Sequence, residues 1–69
     1  MMTIGESIRA VREAKGFTRR ELYEKSGVHY QTIYNWEHDG PVPTVFNLIC
    51  IADVLDVSLD ELVGRERRN

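Results

Sequence analysis

Two amide side chains, Gln31 and Asn35, stand four residues apart in a stretch, residues 28–36, that contains no acidic or basic residue apart from one histidine. At this spacing, two side chains lie on the same face of a helix. A carboxamide offers a donor and an acceptor side by side, which matches N6 and N7 of adenine in the major groove. Tyr30 and Tyr34 add aromatic groups to the same edge. The pattern favours a base-reading surface, and the alternative is an ordinary solvated helix face.

A pair of short helices is predicted to position this edge. We expect the first helix over residues 18–26 and the second from residue 29 or 30 to 38. Thr18 and Glu21 have the form of a capping box, in which each side chain satisfies a free amide at a helix start. Gly27 stands where the chain must reverse, a position that often requires a left-handed backbone. Residues 18–37 therefore predict a helix-turn-helix.

Three further helices are predicted around this pair. They begin at capping residues and run from Thr3 to near Lys15, from Thr44 to Asp56, and from Ser58 to Gly64. The apolar residues expected to face the core at helical spacing are Ile4, Ile8, Val11, Ala14, Leu22, Ile33, Trp36, Val45, Leu48, Ile49, Ala52 and Leu55. With no alternating strand pattern, the chain reads as all-α. We expect one domain over residues 1–69, with a core at 3–63 and a flexible tail at 64–69.

The charges are unevenly distributed along the 69 residues, whose net charge is −2. Residues 1–36 carry a net +2, residues 37–63 carry −6 without any Lys or Arg, and residues 64–69 carry +2. The basic segment is the one that holds the amide edge. An acidic total is unusual for a nucleic-acid-binding protein, so we expect fewer phosphate contacts than in a strongly basic one.

Composition also excludes several classes of protein. There is no apolar run long enough to span a membrane and no signal-peptide pattern, so we expect a cytoplasmic protein. A single cysteine cannot form an internal disulfide. Neither of the histidines lies at a metal-ligand spacing from Cys50, and no catalytic set or phosphate-binding glycine loop is present. We therefore predict no enzyme activity, no metal and no cofactor.

Several separated segments together resemble one family. In chain order they are IRAVREAKGFT, ELxxKSGV, QTIxxWE, PTxxxLxxIAxxL and VSLDEL. Their order and spacing over residues 3–63 resemble the Cro/repressor-type (XRE-like, lambda-repressor-like) helix-turn-helix DNA-binding family. The resemblance implies five helices, with helices 2 and 3 forming the helix-turn-helix, DNA recognition by the third helix, and usually a dimer.

The resemblance also assigns candidate roles to residues. The positions that read bases in the family correspond to His29, Tyr30, Gln31 and Asn35. Contacts with DNA phosphates are expected from Arg12, Thr18, Arg19, Arg20 and Tyr34, with Lys15 a weaker candidate. Family members often carry Gln where Arg19 stands. In relatives, the residues at Arg12 and Glu37 form an ion pair, so Arg12 has a structural role as an alternative to phosphate contact.

Three departures from the family pattern bear on the site. Tyr23 replaces a small residue where the two motif helices cross, so either the helices shift or the ring turns outward. His29 stands where Ser or Thr usually caps the recognition helix, and histidine is a poor cap. The loop after Glu37 reads His-Asp-Gly-Pro where basic residues are frequent in the family.

The sequence predicts two candidate functions from different classes of protein. The first is a sequence-specific, double-stranded-DNA-binding transcription regulator, a repressor that acts as a homodimer on an inverted repeat. The alternative is a protein-interaction module, such as an antitoxin-like or adaptor domain. The residues expected to form a dimer or partner surface are Phe46, Cys50, Val57, Leu59 and Val63. No membrane association is expected.

Overall fold

The computed structural model describes residues 2–38 and 40–65, which form five helices and no strand. The helices are α1 Ile4–Ala14, α2 Arg19–Ser26, α3 Tyr30–Glu37, α4 Val45–Leu55 and α5 Leu59–Leu62. The predicted all-α, five-helix fold is confirmed. Among these residues, the helices are all too short or too polar to cross a bilayer.

The helix starts follow from the predicted capping residues. At α1 the capping box is complete, because Thr3 Oγ1 accepts from the Glu6 amide at 3.1 Å and Glu6 Oε1 accepts from the Thr3 amide at 2.8 Å. Thr18 and Glu21 form the same reciprocal pair at the start of α2, at 3.0 and 2.9 Å. Each box satisfies amides that the first helical turn would otherwise leave without a partner.

The turn between α2 and α3 is built on Gly27, which adopts a left-handed backbone with φ of 76°. Its amide donates to the carbonyl of Tyr23 at 2.9 Å and closes α2. A side chain at this φ would be strained, so glycine suits the position where the chain reverses. The predicted corner of the helix-turn-helix is therefore present.

One apolar core lies between the helices. It consists of Ile8, Leu22, Val28, Ile33, Trp36, Ile51, Ala52, Leu55 and Leu62. α3 packs against both α1 and α2, and α4 packs against α2 and α5. The contact between α1 and α3 is close at Gly5, because a Cβ atom there would overlap the carbonyl oxygen of Trp36. Trp36 is itself buried, so its contact with Gly5 fixes the end of α3 against α1.

Three predicted core positions are wrong. Ala14 is exposed at the end of α1, and Val45 and Ile49 are 67% and 42% exposed on α4. On α4 the buried arc instead includes Ile51, which is fully buried and was not among the expected core residues. The apolar residues of α4 cover so much of its circumference that helical spacing fits two different faces. Packing against α2 and α5 selects the face that contains Ile51.

Of the segment predicted as a tail, the structure describes Gly64 and Arg65. Gly64 and Arg65 still bond back to α5, since the Gly64 amide donates to the Glu61 carbonyl at 3.2 Å and the Arg65 amide to the Asp60 carbonyl at 2.7 Å. These two bonds close the helix in the manner of a Schellman motif. The rest of the predicted tail, residues 66–69, lies outside the described residues, as does Asp39 of the loop after α3.

Candidate nucleic-acid interface

The outer edge of α3 carries the two amides that the sequence singled out. Gln31 and Asn35 are both exposed, and Gln31 Nε2 donates to Asn35 Oδ1 at 3.1 Å. Tyr30 and Tyr34 are 40% and 38% exposed on the same helix. The edge is thus available to a ligand, and its hydrogen-bonding groups already interact with each other.

The start of α3 is capped by His29. Its Nδ1 accepts from the backbone amide of Gln31 at 3.2 Å, in the place of the usual Ser or Thr hydroxyl. An accepting nitrogen must be unprotonated, so this cap requires a tautomer with the proton on Nε2. His29 therefore helps to orient the first turn of α3 while its ring stays exposed.

The far end of α3 is anchored by a buried carboxylate. Glu37 receives two hydrogen bonds from Arg12 of α1, from Nε to Oε2 at 2.9 Å and from Nη2 to Oε1 at 3.0 Å. Arg19 of α2 donates from Nε to Oε1 at 2.8 Å. The Glu37 side chain is fully buried, and the Arg12 side chain is 7% exposed. One carboxylate therefore joins α1 and α2 to the end of α3.

This arrangement determines the ionisation of Glu37. Burial by itself would raise the pKa of the carboxyl, but hydrogen bonds from Arg12 and Arg19 outweigh it and hold the pKa below its ordinary value of 4.5. The cluster of Arg12, Arg19 and Glu37 holds two cations and one anion, so it carries a net positive charge. The carboxylate stays ionised at neutral pH, so the cluster presents a positive charge next to α3.

The predicted ion pair between Arg12 and Glu37 is present, and it bears on the second role expected for Arg12. A third Arg12 bond runs from Nη1 to the Phe17 carbonyl at 2.8 Å. With three bonds inside the protein and little exposure, Arg12 is placed as a structural residue. The geometry favours that role over direct contact with phosphate.

Arg19 is held more tightly than the sequence suggested. Besides bonding to Glu37, its guanidinium lies over the ring of Tyr34, 5.2 Å from the centroid. The Tyr34 ring in turn stacks on His38 at 3.9 Å, and His38 Nδ1 lies 2.8 Å from the Tyr34 carbonyl. This stack was not among the contacts predicted from the sequence. The four-residue spacing of Tyr34 and His38 was the available signal.

Four of the five predicted phosphate-contact residues, Arg12, Thr18, Arg19 and Arg20, lie at an open cleft between the end of α1 and the start of α2, whereas Tyr34 does not line it. Its walls are formed by Arg9, Arg12, Glu13, Gly16, Phe17, Thr18, Arg19, Arg20 and Tyr30. Four arginines face one glutamate there, and the amino end of α2 adds the partial positive charge of a helix start. Arg9 also pairs with Glu13 at 3.5 Å.

Arg20 remains the most accessible of these cations. Its side chain is 80% exposed, and its contact with Glu24 at 3.4 Å is weak in solvent. Arg20 can therefore turn toward an anion at little cost. Thr18 is also exposed, although its hydroxyl already caps α2. Among the predicted phosphate-contact arginines, Arg20 is thus accessible, whereas Arg12 and Arg19 are paired with buried Glu37.

The exposure of Tyr23 bears on whether its ring turns outward or the two motif helices shift to accommodate it. Tyr23 is 41% exposed, and its ring centroid lies 6.1 Å from that of His29. This exposure favours an outward-turned ring over a shift of the two motif helices.

The five residues expected to form a partner surface do not share one environment. Phe46 and Leu59 are exposed, at 72% and 40%, whereas Val57 is half-buried against the core. Cys50 and Val63 are also half-buried. Phe46 instead shares an exposed apolar face of α4 with Val45 and Ile49. Within residues 2–38 and 40–65, His, Cys, Asp and Glu form no group placed to hold a metal ion.

Comparison with known proteins agrees with this geometry. A family model described as helix-turn-helix matches residues 8–62. The chain therefore belongs to the Cro/repressor-type, XRE-like helix-turn-helix family.

Relatives in this family are transcriptional regulators. The chain is 34% identical over 64 residues to the transcriptional repressor RstR of the cryptic phage CTXphi in Vibrio cholerae, which covers 93% of this chain and 57% of that protein. It is 28% identical over 65 residues to the regulator ImmR of Bacillus subtilis, covering 94% of this chain and 51% of that protein. The chain thus spans about half the length of these two relatives.

Solved structures show the same fold. The P22 c2 repressor, crystallised with a synthetic operator, superposes with a TM-score of 0.82 at 29% identity, over 96% of this chain and 100% of that one. The biofilm regulator SinR, crystallised with DNA, gives a TM-score of 0.81 at 34% identity, over 87% of this chain and 97% of that one. The five helices described above are therefore a lambda-repressor-like domain.

Proposed function

We propose that this protein is a sequence-specific, double-stranded-DNA-binding transcription regulator that acts as a repressor. The observation that carries the proposal is the exposed amide edge of α3, with Gln31 and Asn35, beside an arginine-lined cleft. In a helix-turn-helix, the second helix enters the major groove with its amino-terminal residues against base edges. His29 and Tyr30 extend this edge, while Arg19, Arg20, Thr18 and Tyr34 contact phosphates on either side.

The protein is cytoplasmic and acts as a homodimer on an inverted repeat in double-stranded DNA. The half-sites lie about 34 Å apart, one turn of the double helix. Support comes from the related regulators, two of which, the P22 c2 repressor and SinR, were crystallised with an operator or with DNA. The acidic residues at 37–63 reduce the electrostatic share of binding. The alternative, a module that binds protein and has no DNA target, is not favoured by these relatives.

Selection of binding sites from a random DNA pool tests the proposal. The wild-type protein should enrich a palindromic sequence, and a Gln31→Ala/Asn35→Ala variant should lose that preference while keeping its helical content. Each good bidentate contact is worth about 1–3 kcal/mol of discrimination. If both proteins enrich the same sequence equally well, α3 does not read bases through these amides.

Salt dependence separates phosphate contacts from base contacts. Arg20→Ala should weaken binding to all sequences and reduce the slope of log affinity against log salt by about 1, since one phosphate contact is lost. Glu24→Ala is the matched control, because it removes the partner of Arg20 and leaves the cation in place. An unchanged slope in Arg20→Ala would show that this residue does not contact phosphate.

A further inference from the structure

The hydrogen bond between the two amides of α3 limits what each can offer to a ligand. Gln31 Nε2 is the donor and Asn35 Oδ1 the acceptor, at 3.1 Å, and both side chains remain exposed. The bond joins side chains one helical turn apart. Two groups that could have acted independently are therefore linked before any ligand arrives.

The bond leaves some donors and acceptors of Gln31 and Asn35 free to meet a base. A carboxamide has two N–H donors and one carbonyl oxygen with two lone pairs. After the bond forms, Gln31 keeps its whole carbonyl oxygen and one N–H, which is the acceptor–donor pair that adenine requires. Asn35 keeps both of its N–H donors, but its oxygen is turned toward Gln31 and half occupied. Asn35 is thus mainly a donor.

We propose that Gln31 and Asn35 read two neighbouring base pairs as one coupled unit, an inference that rests on the proposed function. Gln31 faces adenine. Asn35 faces a base whose major-groove edge presents acceptors, namely guanine through O6 and N7 or thymine through O4. Adenine is disfavoured opposite Asn35, because its N6 amino group would meet the amino group of Asn35 donor to donor. An isolated asparagine would prefer adenine, so the bond changes the specificity of Asn35.

This coupling has a consequence that independent readers would not produce. Removing the Gln31 side chain frees Asn35 Oδ1, which restores the acceptor–donor pair of Asn35. Gln31→Ala should then alter base preference at a position that Gln31 does not contact. The change should be a gain of adenine at the base pair that Asn35 reads.

Site selection with three proteins tests this prediction. Asn35→Ala identifies the base pair that Asn35 reads, as the position where preference is lost. At that position, wild type should enrich guanine or thymine, and Gln31→Ala should raise the frequency of adenine about three-fold or more, given typical couplings between contacting residues. Lys25→Ala serves as the control, because it removes an exposed side chain of α2 outside the amide edge and should leave base preferences unchanged.

Three outcomes would overturn the inference. Gln31→Ala could leave the base distribution at the Asn35 position unchanged, which would mean that the amides act independently. Asn35→Ala could relax no position, which would mean that Asn35 does not read a base. If the wild-type protein enriches no sequence, the proposed function is wrong and this inference fails with it. That result is distinguishable from the other two, in which the wild-type protein still selects a sequence.

A double-mutant cycle on the selected site gives a second measurement. The dissociation constants of wild type, both single variants and the double variant are compared on the same duplex. We expect the effects to depart from multiplicative behaviour by at least about two-fold, as for residues in direct contact. Multiplicative effects on that duplex would contradict the coupling even if both residues touch DNA.

Discussion

In the segment from α1 to α3, a buried carboxylate joins three helices, whereas α4 and α5 pack through apolar side chains. Arg12 and Arg19 both donate to Glu37 in the first region. In the second, the buried contacts come from side chains such as Ile51, Leu55 and Leu62. Within residues 2–38 and 40–65, the ion pairs all lie in the α1–α3 region.

This difference has a structural consequence. A guanidinium–carboxylate pair is directional, so it fixes the rotation of each helix that contributes to it. Apolar burial is non-directional and depends on the area removed from water. The rotation of α3, which places Gln31 and Asn35 outward, is therefore held by the Glu37 contacts in addition to the burial of its apolar side chains. The rotation of α4 depends on which neighbours it meets.

The largest expected effect is that of Glu37→Ala. The substitution leaves two arginines without their counter-charge, and breaking a buried ion pair typically costs about 3–5 kcal/mol. A single core of this size supplies only about 3–5 kcal/mol of stability, so we expect the variant to be largely unfolded at 25 °C. Urea unfolding followed by circular dichroism measures this. Glu24→Ala, which breaks an exposed pair, should change stability by less than about 1 kcal/mol; equal losses in both variants would contradict the comparison.

Two isoleucines on α4 provide a matched test of the apolar region. Ile51→Ala should cost about 2–4 kcal/mol because Ile51 is fully buried and its loss leaves a cavity. Ile49→Ala should cost much less, since that side chain is 42% exposed. Thermal unfolding of both variants gives the difference directly. If Ile49→Ala were the more damaging change, α4 would present the opposite face to the core.

The caps of α2 and α3 should differ by a smaller amount. Thr18→Ala removes the hydroxyl of a complete capping box and should cost about 1 kcal/mol. His29→Ala removes a weaker cap and should cost less, and His29→Ser should stabilise the protein because serine is a preferred cap. Chemical unfolding of the three variants tests the order. A larger loss from His29→Ala than from Thr18→Ala would show that the imidazole cap matters more than its geometry suggests.

The smallest expected effect is a change in the pH dependence of stability. Glu37 has a pKa below its ordinary value of 4.5 in the folded protein. Between the folded and unfolded pKa values the unfolded chain binds more protons, so stability is present above about pH 4.5 and is lost as pH falls through the folded pKa. Glu37→Gln removes this titration, so its stability should fall less steeply below pH 4.5 than that of wild type. Melting temperatures from pH 3 to 7 measure both slopes; parallel curves would exclude Glu37 as a source of the acid sensitivity.

Local chemistry explains what could be predicted. Thr3, Thr18 and Gly27 act on residues within one helical turn, so the sequence alone indicates where helices begin and where the chain reverses. The pairing of Arg12 with Glu37, 25 residues apart, was implied by family resemblance and would not have followed from spacing. The partners of Arg19 were missed because α2 and the end of α3 must first be brought together.

The sequence by itself determined the five helices, the glycine corner and the amide edge at Gln31 and Asn35, because periodicity, capping and turn formation depend on near neighbours. Only the tertiary structure decided that α4 buries Ile51 instead of Ile49, because its apolar residues cover more than one face and its neighbours choose between them. It also decided that Glu37 holds two arginines, since a carboxylate has room for several donors and only packing determines which ones reach it.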